Sequence, residues 1–378
     1  MINYRLYLIL ILFLSPFIAQ MSRDLKIIEH EVSQNITPPQ WPWNGVNFKC
    51  NINTNIDEND FILISKKKMN LVHILIEPSQ NKNSDLSDEE IFNRLMAKTK
   101  EIIALCKKYN LTSIVSFHKF PINSSKTFRQ TSKYFWNDIN EINTALSFFE
   151  MGVKELASCG EELGAYEFVS EPIIRDGGSI RVPQNLREVQ QRCIKIIQKY
   201  DPGRYFCVSP GPGGHSKGYE DFEPYTYKNT IYNFHVFGPH AYTHQGVKKD
   251  TPIFEYPGYI NYRYWDTEKM NNLLENTLQW QKKYNRPMII GSFGAVHWAK
   301  GRNAYLNDIV TFAKTNNFSY SYHCFNGYFG WNINNSSRSN QLLKSKLKES
   351  GLKINDSISI IYEQTWEILS QSKPKFND

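Results

Sequence analysis

With 378 residues, 41% of them hydrophobic and 14% aromatic, the chain can bury the core of one large domain or two ordinary ones. Its formal charge of +7 is dispersed. Lys66-Lys67-Lys68 and Lys107-Lys108 read as solvated helix ends, and no Arg/Lys cluster has the form of a nucleic-acid footprint, which leaves at most a weak preference for acidic glycans or envelope surfaces.

Arg5 precedes an apolar run from Leu6 to Ala19. Spanning a bilayer takes roughly 20 residues, so residues 1–20 read as a signal peptide or a short N-terminal anchor. Ala19 is small enough for a cleavage site, but Phe17 is a poor neighbour for one. The expected location is secreted, periplasmic or extracellular, with membrane anchoring as the alternative; no other segment is long and apolar enough to cross a membrane. A polar segment, 21–40, follows.

From Trp41-Pro42-Trp43-Asn44 onward, short apolar runs alternate with helical patterns. Gly45–Asn51, Leu71–Ile76, Leu111–Phe117, Ala165–Val169, Tyr205–Ser209, Ile231–Phe237, Met288–Ile290 and Phe318–Phe325 read as buried parallel strands. Ser87 and Glu90 predict a capping box before Ile91, Leu95, Ile102 and Cys106. Ile142, Leu146, Phe149, Val153 and Leu156 form a helical stripe. Asn185 and Glu188 open another helix, and Asp266 or Thr267 caps a third. Eight strands separated largely by helices predict a (β/α)8 TIM barrel as a single domain over residues 41–370, with a polar tail at 371–378. The Gly/Pro-rich link Pro210–Gly214 predicts no full helix between strands five and six.

The six cysteines form no C-x-x-C and have no zinc spacing to a histidine pair; Cys106 and Cys193 fall on apolar helix faces. Gly211-Pro212-Gly213-Gly214 lacks the Lys-Ser/Thr of a phosphate cradle. Neither a metal nor a cofactor is expected.

In a barrel, chemistry collects where strands end at the carboxyl face. Those ends present Glu77-Pro78, His118, Ser170-Glu171-Pro172, His235 with Phe237, Ser292, and His323 leading to Trp331. Pro287–Gly294 reads as a buried strand ending in a tight glycine turn that displays Ser292. Each residue alone has an ordinary structural explanation; the ordered set is harder to dismiss.

The set resembles glycoside hydrolase family 5, the cellulase and mannanase family of retaining glycosidases, from about Trp41 to Trp331. The matching motifs are Asn44-Gly45-Val46-Asn47, His118, Ser170-Glu171-Pro172, His235-x-Phe237-x-Pro239 with Thr243-His244-Gln245-Gly246, Gly291-Ser292-Phe293-Gly294 and Gly330-Trp331. The resemblance implies a pair of carboxylates about 5–5.5 Å apart, one acid/base and one nucleophile. It places the acid/base at Glu171 and the nucleophile at the position of Ser292. It places substrate contacts at His118, Ser170, His235, Phe237 and Trp331. The sequence departs from the family pattern in linked ways: Ser170 stands where the family has Asn, Phe237 where it has Tyr, and His73 where a supporting Arg aligns. The Tyr and the Arg would both serve the missing glutamate, so the pattern reads as a naturally degenerate site.

A serine needs a base to act as nucleophile, and Ile290-Gly291-Ser292-Phe293-Gly294 is not G-x-S-x-G. Three readings follow. The first is an oligo- or polysaccharide-binding protein, for a β-linked glycan, with impaired hydrolysis. The second is an inverting hydrolase in which Glu77, Asp176 or Glu255 serves as a distant base. The third is a protein-interaction barrel.

Overall fold

The computed structural model describes residues 37–77, 86–120, 133–176, 179–248, 251–334, 337–349 and 358–371. The N-terminal apolar run and all but the first residue of the polar tail lie outside the described residues. Eight parallel strands close a barrel: β1 (Asn44–Cys50), β2 (Leu71–Ile76), β3 (Thr112–Phe117), β4 (Leu163–Phe168), β5 (Tyr205–Val208), β6 (Thr230–Val236), β7 (Met288–Phe293) and β8 (Ser319–Tyr322). Each pairs with its neighbours in chain order, and β8 returns to β1. Residues from Pro38 onward form one compact unit. Among the described residues no helix is long and apolar enough to cross a membrane.

The helices begin where the sequence says they should. Ser87 and Glu90 form the capping box of Asp88–Lys108, and the Asp266 side chain caps Thr267–Tyr284. Asn185 precedes Leu186–Tyr200 but does not cap it. Its amide instead donates to the carbonyl of Trp136 at 2.8 Å, which ties two segments of the barrel's outer layer together. Only a short 3-10 turn, Ser216–Tyr219, lies between β5 and β6. The loop after β4 carries a hairpin, Ile174–Asp176 with Ser179–Arg181, and the loop after β6 carries another, Gly258–Ile260 with Arg263–Trp265.

Strand alternation divides the side chains into two sets. The outward set, including Val46, Phe48, Val72, Ile74, Tyr166, Phe168, Phe234 and Ile290, packs against the helices. The inward set begins as an apolar floor of Trp43, Leu71, Ile114, Ala165, Cys207, Ile231 and Ile289. Two residues beyond five of these seven the inward positions turn polar: His73, Ser116, Glu167, Ser209 and Asn233, with Asn47 and Ser321 beside them, all buried. The barrel interior is therefore apolar below and hydrogen-bonded above. All six cysteines are free thiols, with Cys106 and Cys193 buried as their helix faces predict.

The strand-seven segment differs from the expectation. β7 does not stop at Ile290 but runs to Phe293, so Gly291 and Ser292 lie within the strand and not in a turn. A register shift between Ile290 and Ser292 against β6 breaks the alternation there. Gly291 is required by close approach: a Cβ would lie 2.2 Å from Asn233 Oδ1.

Candidate functional site

Above the polar layer the strand ends open into a groove of about 1010 Å3. It is lined by Glu171, Ser170, His118, His235, Phe237, Trp331, His73, Glu77 and Ser292, so the structure brings together nine of the eleven sequence-derived candidates. Glu255 is not among them. It is exposed and forms an isolated β-bridge with Lys300. Asp176 ends the first strand of the β4 hairpin; its side chain lies outside what is described.

Glu171 follows β4. Its Oε1 lies 2.9 Å from His235 Nδ1. The amide of Asn233 fixes the tautomer of that ring. Gly291 N–H donates to Asn233 Oδ1 at 2.9 Å, so Asn233 Nδ2 must face Glu167 Oε1, to which it donates at 2.6 Å. The same Nδ2 faces His235 Nε2 at 3.4 Å, which leaves Nε2 bare and Nδ1–H donating to Glu171. Burial would raise the Glu171 pKa, but this hydrogen bond and the His235, His118 and His323 rings outweigh it and hold the carboxyl at about 2. Its side chain is 41% exposed on the groove floor, so water also solvates the ionised form.

Ser292 ends in a different environment. Its hydroxyl donates to Asn47 Oδ1 at 3.0 Å. Asn47 Nδ2 donates to Gly291 O at 2.9 Å and Ser321 Oγ at 2.8 Å. A carbonyl can only accept, so the Asn47 amide has one orientation. His323 Nδ1 lies 3.1 Å from the same Oδ1 and must carry a proton to donate to it. Burial pushes the His323 pKa down to about 3, so the ring is neutral. The Ser292 proton thus rests on an amide oxygen, which is not a base, and the histidine nitrogen on that same oxygen is itself a donor. This arrangement does not activate serine.

The other residues named from the sequence make contacts of their own. His73 is fully buried and bonds Glu167 Oε2 through Nε2 at 3.1 Å. Ser170 Oγ lies 2.7 Å from His118 Nδ1. Phe237 packs edge-on against His244 and His323, and Trp331 against His244. On the β2 side, Glu77 lies 3.2 Å from Lys119 Nζ and 3.9 Å from Lys49 Nζ. Burial would raise its pKa, but the two lysines and His118 overcome this and lower it.

Sequence reasoning missed Glu167, Asn233 and the role of Asn47. For Glu167 and Asn233 the signal was a polar residue two positions beyond an apolar inward one, Ala165 and Ile231, but it was masked because both sets sit in strands read as uniformly apolar. Among the described residues no group of three or more His, Cys, Asp or Glu is arranged to hold a metal ion.

Among solved structures the chain is similar to Thermotoga maritima Cel5A in complex with cellobiose, at 18% identity and TM-score 0.60, covering 81% of this chain and 96% of that one. It is also similar to the same protein in complex with mannotriose, at 19% identity and TM-score 0.59, covering 81% and 96%. A third similar structure is the cellulose synthase subunit Z of Clostridioides difficile, at 17% identity and TM-score 0.60, covering 84% and 96%. No curated protein matches the chain. The profile of the cellulase family, glycosyl hydrolase family 5, matches residues 32–329. With that match over most of its length and the barrel that carries it, the chain belongs to glycosyl hydrolase family 5.

Proposed function

We propose that the protein is a secreted β-glycan-recognition protein that keeps the acid/base glutamate, Glu171, but has lost the nucleophile. On this reading it is impaired in retaining hydrolysis and still binds an oligo- or polysaccharide along the groove. The observation that carries it is the strand-seven end: Ser292 is hydrogen-bonded to an amide, where a retaining mechanism needs a carboxylate. The low pKa of Glu171 agrees, since a general acid must hold its proton near the working pH. The open groove with Phe237 and Trp331 in its wall supports glycan binding over a purely protein-interaction role. The cellobiose and mannotriose in the Thermotoga complexes support a β-linked ligand. Secretion rests on the N-terminal apolar run alone.

A second reading, inversion through an activated water, has one specific support. Glu77 is a second carboxylate in the same groove, and its lysine neighbours keep it ionised. Those neighbours also make it a weaker base. A glycan panel measured for binding and hydrolysis tests both readings. Binding without turnover, and turnover gained by Ser292→Glu, is the expected result. Efficient wild-type hydrolysis abolished by both Glu171→Ala and Glu77→Gln would overturn the first reading in favour of the second.

A further inference from the structure

The two walls of the groove differ in how their cations are partnered. On the β1–β3 side, Lys49 and Lys119 both pair with the single carboxylate of Glu77. On the β4–β6 side, Arg175, Lys217 and Arg263 line the groove, each exposed. Among the described residues no carboxylate lies within ion-pair distance of any of them. They come from three successive loops over neighbouring strands: the β4 hairpin, the 3-10 turn after β5, and the β6 hairpin. Their fields reach into the groove: burial first, then Arg175, lowers the pKa of His240, and burial first, then Lys217, lowers that of His215.

The rest of the lining does not offset this charge. Seven of the chain's nine histidines line the groove, and only two carboxylates do, Glu77 and Glu171. Glu77 is committed to its lysines, and Glu171 to His235. The site has also lost the negative charge that a strand-seven glutamate would bring. Trp265, on the same hairpin as Arg263, adds a flat apolar face to the wall, the surface a sugar ring stacks on. Three unpaired cations beside an aromatic ring suit a sugar that carries negative charge better than a neutral one.

We infer that the groove takes an anionic glycan, one bearing carboxylate, sulfate ester or phosphate ester groups, with those groups held along the wall of Arg175, Lys217 and Arg263. The inference rests on the glycan-binding reading above and narrows it to a substrate class. An exposed charge contact contributes a factor of about 2–5 in affinity, so three together give on the order of tenfold or more.

The test is titration calorimetry of the full chain with one β-1,4-linked glucan oligosaccharide in four forms: neutral, C6-oxidised to the uronate, sulfated, and phosphorylated. At least one anionic form is expected to bind about tenfold more tightly than the neutral form, with affinity falling as salt rises. Whichever anionic form binds best identifies the source of the charge. The Arg175→Ala/Lys217→Ala/Arg263→Ala triple variant is expected to lose that preference while its thermal melting is unchanged. Removing three exposed lysines elsewhere, Lys195, Lys199 and Lys282, should leave it intact; equal loss in both variants would reduce the preference to general basicity and overturn the inference. Binding of the neutral form as tight as any anionic form would overturn it and leave the glycan-binding reading standing. No binding of any form would end both.

Discussion

The ends of β4 and β7 face the same groove and are wired into the same buried layer, yet they finish in opposite chemistry. At β4, Glu171 bonds His235, His235 faces Asn233, and Asn233 bonds the buried Glu167. At β7, Ser292 and His323 share the oxygen of Asn47. The two amides meet at one peptide: Asn233 accepts from Gly291 N–H, and Asn47 donates to Gly291 C=O. The backbone that would present a nucleophile is therefore clamped from both sides, while the side chain it presents carries no charge. On the proposed reading, the scaffold of a two-carboxylate site has outlasted one of its carboxylates, and the buried layer beneath ties both ends to the same peptide.

The sharpest way to break this comparison is at its buried root. Glu167 is fully buried and paired with His73 and Asn233. We predict that Glu167→Ala costs about 3–5 kcal/mol, because removing one partner strands the others in the barrel interior. Chemical denaturation of wild type and variant measures this. Glu171→Ala, at the exposed end of the same chain of contacts, should leave the denaturation midpoint nearly unchanged. Equal losses from the two variants would show that the groove carboxylate, and not the buried layer, holds the β4 end.

Gly291→Ala comes next. The added Cβ would lie 2.2 Å from Asn233 Oδ1, and relieving that clash strains the packed layer by about 1–3 kcal/mol. A variant as stable as wild type would mean the clamp on the β7 peptide is loose.

Acid titration separates the ends by pH. Burial raises the pKa of Glu167, but the hydrogen bond and charge of His73 outweigh it, with the net result at about 2; Glu171 is also held at about 2. A carboxylate depressed in the folded state stabilises fully above its unfolded pKa, near 4.5, and loses that contribution as pH falls towards 2. The melting temperature should therefore fall across that window, and Glu167→Gln should flatten the fall more than Glu171→Gln, because solvent screens the exposed group.

The barrel was legible because its strands are short and apolar and its helices carry their caps in the sequence, as Ser87, Glu90 and Asp266 do. The groove was legible because side chains at strand ends face it, as Glu171, His118, His235 and Ser292 do. Two kinds of feature were not. Glu167 and Asn233 are interior residues of apolar strands, and only the closure of the barrel shows that they face each other. Arg175, Lys217 and Arg263 come from three separate loops, whose convergence on one wall is a property of the barrel's circumference and leaves no mark on the linear spacing. Glu255 misled for the converse reason: its loop does reach the groove, through His240, His244 and Arg263, but Glu255 itself is not in the lining.

The smallest expected effect bears most directly on Ser292. Ser292→Ala removes one hydrogen bond to Asn47 Oδ1, which keeps His323 as a donor. The acceptor is not stranded, so the cost should stay at the ordinary net value of about 0.5–1.5 kcal/mol. Glycan affinity should change little, since the Ser292 side chain is almost wholly buried and its hydroxyl is occupied by Asn47. Any residual hydrolysis should persist as well, because a hydroxyl held by an amide oxygen has no base to activate it. A Ser292→Ala protein that folds normally, binds glycan normally and loses measurable turnover would make Ser292 a nucleophile in its own right, and the two strand ends would then be partners in a chemistry different from the family's.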